Sequence, residues 1–248
     1  MSSDETLAAC LARSPDVESG TLRIRAFRGY GSAAEALNAA LDSSAARVAI
    51  LAHEDVYLPR GFAANLTRRL AELEQVDPDW AVVGCIGLDL NGHVRGETWS
   101  SGMQRTVGFP VDGAVEVETV DEMILIVRPG AGIRFTTDLP GFHLYGTDIV
   151  TTARAHGARS YVLPLPVIHH SRPLVRLGRD YWRAYRFLRS RWRSRLPVPT
   201  MFGGIGRSSL PLARIELDYL IRNRGRRRRP DRTGDPQQIA HALGYDRT

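Results

Sequence analysis

Residues 32–59 read SAAEALNAALDSSAARVAILAHEDVYLP, and the change of period inside this stretch decides the fold. Ser32 to Ser43 follows the turn Gly29-Tyr30-Gly31 and is rich in alanine and leucine, which predicts a helix with Ser32 as its N-cap. Val48 to Ala52 is a short, uninterrupted apolar run, the pattern of a strand buried on both faces. The strand empties into His53, Glu54 and Asp55, so an imidazole and two carboxylates stand side by side at its carboxyl end.

Working outward, strands are predicted at Leu22 to Phe27, Ala81 to Ile86, Met123 to Val127 and Tyr161 to Leu165. Helices are predicted at Asp4 to Arg13, at Gly61 to Leu73 with Phe62, Leu66, Leu70 and Leu73 on one face, and at Thr147 to His156. Strands alternating with helices imply an α/β fold, a mostly parallel (mixed) sheet with helices on both faces, and ligands bind such sheets beyond the carboxyl ends of the strands. The run Tyr161 to Ile168 delivers His169 and His170 to the same predicted edge as His53 and Asp55. Residues 1–171 are expected to form this domain, and residues 172–248 a helical, Arg-rich extension.

The 248 residues are 43% hydrophobic, enough for one sizeable core. No apolar run approaches the roughly 20 residues that span a bilayer, and the acidic N-terminal stretch lacks the pattern of a secretory signal, so the cytoplasm is the expected compartment. Cys10 and Cys85 are too few and too scattered for a disulfide framework or a cysteine metal site. The formal charge of +6 is unevenly spread: residues 1–170 carry 14 Arg against 21 acids, and residues 171–248 carry 19 Arg against 6. No lysine occurs, so the arginines reflect a compositional bias as much as phosphate contacts, and no specific nucleic acid partner is expected.

A strand ending in His-Glu-Asp offers nitrogen and oxygen ligands suited to a hard or borderline divalent ion held against a diphosphate. An acidic cluster after a strand is often a solvated loop, but two clusters at one sheet edge point to a site. The quoted stretch resembles bacterial family-2-like glycosyltransferases, in which a small-residue helix precedes a strand and an H-x-D-V-Y-x-P element. VDEMILIVRP (120–129) and LPGFHLYGTDIVTTARAHGARSYVLPLPVIHHS (139–171) resemble the acceptor-side strand, the F-H-x-Y loop with its helix, and the closing His-His-Ser of that family. The resemblance runs from Ser14 to Trp192.

What it implies is a GT-A-like fold and a metal site of His53, Asp55, and His169 or His170, filled by a divalent cation, manganese or magnesium. Gly29, Ser32, Asn38, Glu54 and Asp121 are implied on the nucleotide-sugar donor side. The general base falls to Asp148 or His143, since the helix-opening acid of the family aligns nearer Gly146. Asp148 as a mere helix cap is the competing reading. The family's apolar first strand is expected to be missing, since the chain opens in a polar helix.

Leu177, Tyr181, Tyr185, Leu188 and Trp192 recur at helical spacing, with Arg176, Arg179, Arg183, Arg186 and Arg193 on other faces. Two readings stand: contact with an anionic membrane surface, with the protein peripheral at its inner face, or packing of the aromatic stripe on the catalytic domain with a solvated Arg face. The run Arg226 to Arg229 reads as a basic linker. The expected activity is transfer of a sugar from a nucleotide donor to a surface glycan or lipid-linked acceptor. A non-catalytic transferase-like binding module and a nucleic-acid-binding protein using the Arg tail are the alternatives; binding of donor without turnover marks the first, steep salt dependence the second.

Overall fold

The computed structural model describes residues 4–174, 176–222 and 234–247, and its strands form one ten-stranded sheet. In chain order the strands are β1 (Ala49–Ala52), β2 (Val56–Tyr57), β3 (Val82–Gly84), β4 (Ile86–Asp89), β5 (Val94–Ser100), β6 (Arg105–Phe109), β7 (Val115–Val120), β8 (Ile124–Val127), β9 (Ser160–Val162) and β10 (Val167–His169). They lie in the order β1-β8-β3-β9-β7-β4-β5-β10-β2, with β6 paired to β5 off that path. The helices are α1 (Asp4–Ala9), α2 (Pro15–Glu18), α3 (Ala33–Asp42), α4 (Phe62–Val76), α5 (Tyr145–Ala155), α6 (Gly178–Arg191), α7 (Leu210–Arg222) and α8 (Pro236–Ala242).

Burial on both faces is legible in alternate residues. In β8, Leu125 and Val127 join one apolar cluster, and Ile124 and Ile126 join the other. Val82 and Val83 of β3 and Tyr161 and Val162 of β9 divide in the same way. Side chains of α3, α5 and α6 fill the first cluster, while Phe62, Leu66, Leu70 and Leu73 of α4 fill the second.

The α/β class and the mixed sheet are as expected, but antiparallel pairs predominate: only β3 with β9 and β10 with β5 run parallel. Part of the reason lies in residues 87–120, where no strand is predicted and where hairpins form; β8 adds two antiparallel pairs, with β1 and β3. Asn91-Gly92 turns β4 into β5, with Gly92 at φ +78. Gly96 within β5 is left-handed at φ +78, and a Cβ there would stand 2.0 Å from the carbonyl oxygen of Cys85. Only glycine fits this approach.

Two other expectations need correction. Leu22 to Phe27 forms no strand; Arg23, Ile24, Arg25 and Ala26 are exposed, so the run has no core to pack on, and Arg25 sits 5.1 Å over the Phe27 ring. The predicted run from Tyr161 to Ile168 is two strands, β9 and β10, because Pro164 and Pro166 interrupt it. Ser32 is the N-cap of α3 as expected: its Oγ accepts Glu35 N–H at 3.2 Å, and the Glu35 carboxylate accepts Gly31 N–H, one residue before the cap, at 3.0 Å. The polar N-terminal helix is present as α1, followed by a 3-10 turn at Leu11–Arg13.

Helix α6 buries Tyr181, Ala184, Tyr185 and Leu188 in the same cluster as α5. The aromatic stripe thus packs on the domain, and the Arg side chains lie on the outer faces of the helix. Further on, Ala240 of α8 and Tyr245 pack on Tyr57 and Ile168, while Arg13 pairs with Asp235 at 3.2 Å. The run Arg226 to Arg229 lies outside the described residues. No helix among the described residues is long and apolar enough to cross a membrane.

Candidate metal and donor site

Three elements bring the cluster together. β1 ends at Ala52, and His53 N–H donates to the Met123 carbonyl at 2.9 Å, which docks the turn against the start of β8. The turn closes with Val56 N–H on the His53 carbonyl at 3.2 Å and leads into β2. β2 then pairs antiparallel with β10, setting Val56 opposite His169. His170 N–H donates to the Asp55 carbonyl at 2.8 Å, fixing the turn from the other side.

One ligand atom from each of His53, Asp55 and His169 lies within 4.8 Å of the others, and all three side chains are half-buried. His169 Nε2 is 3.5 Å from Asp55 Oδ1, and the His53 and His169 rings stand 6.2 Å apart. His53 Nε2 is 2.5 Å from the Tyr145 hydroxyl, which donates onward to the Glu122 carbonyl at 3.1 Å. Burial pushes the His53 imidazole below its usual range; Asp55, Asp121 and Glu54 oppose the shift and His169 adds to it. Neutral imidazoles beside a carboxylate form a competent donor set for a divalent ion.

His170 stands apart. Strand alternation turns its ring away from His169, and its Nδ1 is 3.0 Å from Ser101 Oγ in a buried contact. Glu54 and Asp121 are close enough to His53 to act on its charge, although Asp121 Oδ1 also accepts Met123 N–H at 3.0 Å. His143 packs its ring 5.6 Å from Tyr181; burial first, and then His53, lower its pKa, against Asp180.

The remaining predicted residues are engaged elsewhere. Asn38 clamps the backbone of Phe135, with Nδ2 donating at 2.8 Å and Oδ1 accepting at 3.0 Å. Ser32 Oγ serves the α3 cap, and Gly29 is exposed at φ +82. Asp148 is 1% exposed, with Oδ1 accepting the Trp192 indole N–H at 2.8 Å and Arg191 Nε at 3.3 Å. It does not cap α5 either, since that helix starts at Tyr145 after Leu144. Tyr145 and Glu122 were missed. Both lie inside the quoted motifs, but nothing in the sequence singles out a tyrosine that opens a helix or a glutamate beside a more conspicuous aspartate.

No protein-family profile matches the chain. A curated protein of Fuscovulum blasticum described as ATP synthase subunits region ORF 6 is 31% identical over 153 residues, 56% of this chain and 60% of that protein. The chain thus spans less than two thirds of that relative's length. Among solved structures, GalNAc-T7 with UDP, GalNAc and Mn2+ is similar at a TM-score of 0.45 and 12% identity, over 93% of this chain and 47% of that one.

Proposed function

We propose that the chain is a metal-dependent glycosyltransferase of GT-A-like architecture that moves a sugar from a nucleotide-sugar donor to a surface glycan or lipid-linked acceptor. The observation that carries this reading is the convergence of His53, Asp55 and His169 where β1 and β10 end. Two imidazoles and a carboxylate fit a divalent ion of the manganese kind better than an all-oxygen calcium or magnesium cage. Three protein ligands leave further coordination positions for phosphate oxygens. When bound, such an ion supplies Lewis-acid neutralisation of a diphosphate leaving group.

The chain's own groups do the rest. Tyr145 holds the His53 ring, and the backbone bonds of His53 and His170 hold the turn that carries Asp55. Glu54 and Asp121 act on the charge of His53 from beside the cluster, which supports a role for them in meeting hydroxyls of the donor. Residues 1–171 supply this site, and the C-terminal region adds a basic surface. There, Arg186, Arg189, Arg193 and Arg207 surround a cleft of about 690 Å³. None of the four has a carboxylate partner within 4.0 Å among the described residues. This supports electrostatic contact with an anionic membrane surface on the cytoplasmic side.

Release of nucleoside diphosphate from a panel of nucleotide sugars, with manganese and with EDTA, tests the proposal. Manganese-dependent release is expected. A protein that neither binds nor turns over any donor overturns it, and binding without turnover favours a binding module.

A further inference from the structure

Glu122, between Asp121 and β8, is half-buried, and its carboxylate accepts the backbone N–H groups of Gly146, Leu144 and Tyr145. Two backbone features shape this niche. Leu144 turns the chain into α5 at φ 64 and ψ 11, a conformation that costs a side-chain-bearing residue energy and that clusters at functional sites. Gly146 carries no Cβ; one there would stand 2.8 Å from the Val120 carbonyl oxygen and 3.0 Å from Glu122 Cγ. Tyr145 of the same turn connects the Glu122 carbonyl to His53 Nε2, so the niche adjoins the metal cluster.

Three neighbouring acids have contacts of their own, and Glu54 is assigned to the donor side in the reading above. Asp148 lies under Trp192 and Arg191, Asp121 closes the turn onto Met123, and Asp55 belongs with the two histidines. A carboxylate accepting three N–H bonds retains further lone-pair capacity. We propose that Glu122 is the proton acceptor for the attacking hydroxyl, an inference that rests on the transferase reading above. In the step, the acceptor oxygen forms a bond to the anomeric carbon and its proton passes to the Glu122 carboxylate. The bond from that carbon to the donor's phosphate oxygen breaks, and its electron pair leaves with the nucleoside diphosphate.

Electrostatics agrees with the geometry. Burial, and then Asp121, push the Glu122 pKa up to about 8 against the three N–H groups. The titratable groups facing it are Asp121 on its own turn, Tyr145 on α5 and Tyr181 on α6. A carboxylate of raised basicity takes a hydroxyl proton more readily than an ordinary one.

Capping alone is the competing role, and Glu122→Gln separates the two, since a glutamine oxygen still accepts N–H bonds but takes no proton. With a donor that the wild type turns over, E122Q is expected to lose about 100-fold or more in kcat, with manganese-dependent binding of nucleoside diphosphate unchanged by calorimetry. An E122Q enzyme near wild-type kcat overturns the assignment while leaving the transferase reading intact. A wild type that turns over no donor removes both. Should E122Q fail to fold, the pH profile of the wild type decides: kcat rises with pH through the Glu122 titration, and a flat profile overturns the proposal.

Discussion

The indole N–H of Trp192 donates to Oδ1 of Asp148 at 2.8 Å, which ties the end of α6 to a carboxylate 1% exposed in the first turn of α5. Arg191 approaches the same oxygen at 3.3 Å. Asp148 is thus a joint between two helices rather than a group open to substrate, and α6 belongs to the packing of the sheet.

Asp148→Ala strands the indole N–H and removes the ion pair, so a loss of about 1–3 kcal/mol in denaturant unfolding is expected. Trp192→Phe costs a similar amount, because it leaves a buried carboxylate with Arg191 alone. The double variant costs less than the sum, since both changes remove one bond. Binding of nucleoside diphosphate with manganese stays as in the wild type, and its loss in D148A at full folding would show that Asp148 acts in the site.

His169 and His170 are neighbours with different surroundings. His169→Ala removes a member of the cluster and is expected to weaken manganese binding by at least the roughly 10–100-fold typical of losing an outer-shell partner. His170→Ala leaves Ser101 Oγ without its ring contact, costing about 1 kcal/mol of stability while manganese affinity holds. Manganese titration by calorimetry, with thermal melts of both variants, checks the pair.

The same two residues show what the sequence carried. That one histidine joins His53 and Asp55 was legible, because an apolar run ending in polar residues marks a strand terminus. Which one it was depended on the phase of β10, and that phase is set by its start after Pro166 and its pairing with β2, neither of which a three-residue strand declares. Asp148 misled for a related reason: an acid early in a helix reads alike whether it meets solvent or a tryptophan 44 residues on. The hairpins of β4 to β7 escaped notice because their exposed positions are polar, although Asn91-Gly92 was a readable turn signal. Val48 to Ala52 and Met123 to Val127 are legible to within a residue, because both are uninterrupted apolar runs, although only β8 is fully buried and β1 at the sheet edge is half-buried.

Glu122 has a consequence for stability that is independent of catalysis. Its folded pKa stands at about 8, above the model-compound value of 4.5, so between those values the folded chain holds a proton that the unfolded chain has released. Stability from this group is complete below about pH 4.5 and declines as pH rises towards 8. In E122Q that decline is absent, so the variant is expected to gain on the wild type as pH rises from 5 to about 8. Parallel urea unfolding at several pH values measures the difference; a constant offset would mean that the carboxylate is not so perturbed.

Gly146→Ala tests the niche from the helix side. The added Cβ would sit 2.8 Å from the Val120 carbonyl oxygen, which β7 holds in place, and 3.0 Å from Glu122 Cγ, which ends in a flexible side chain. Glu122 can swing away from the second contact, breaking its bonds to the start of α5, but the first is to backbone and needs a shift of α5 against β7. A stability loss of about 1–3 kcal/mol is therefore expected from overpacking, together with a smaller difference between the stability–pH profiles of wild-type and E122Q backgrounds when both carry G146A. As α5 shifts, Tyr145 moves with it, and manganese affinity is expected to fall through the disturbed His53 ring. Melts across pH and manganese titration of G146A check both effects, and an unchanged manganese affinity would mean that α5 keeps its place.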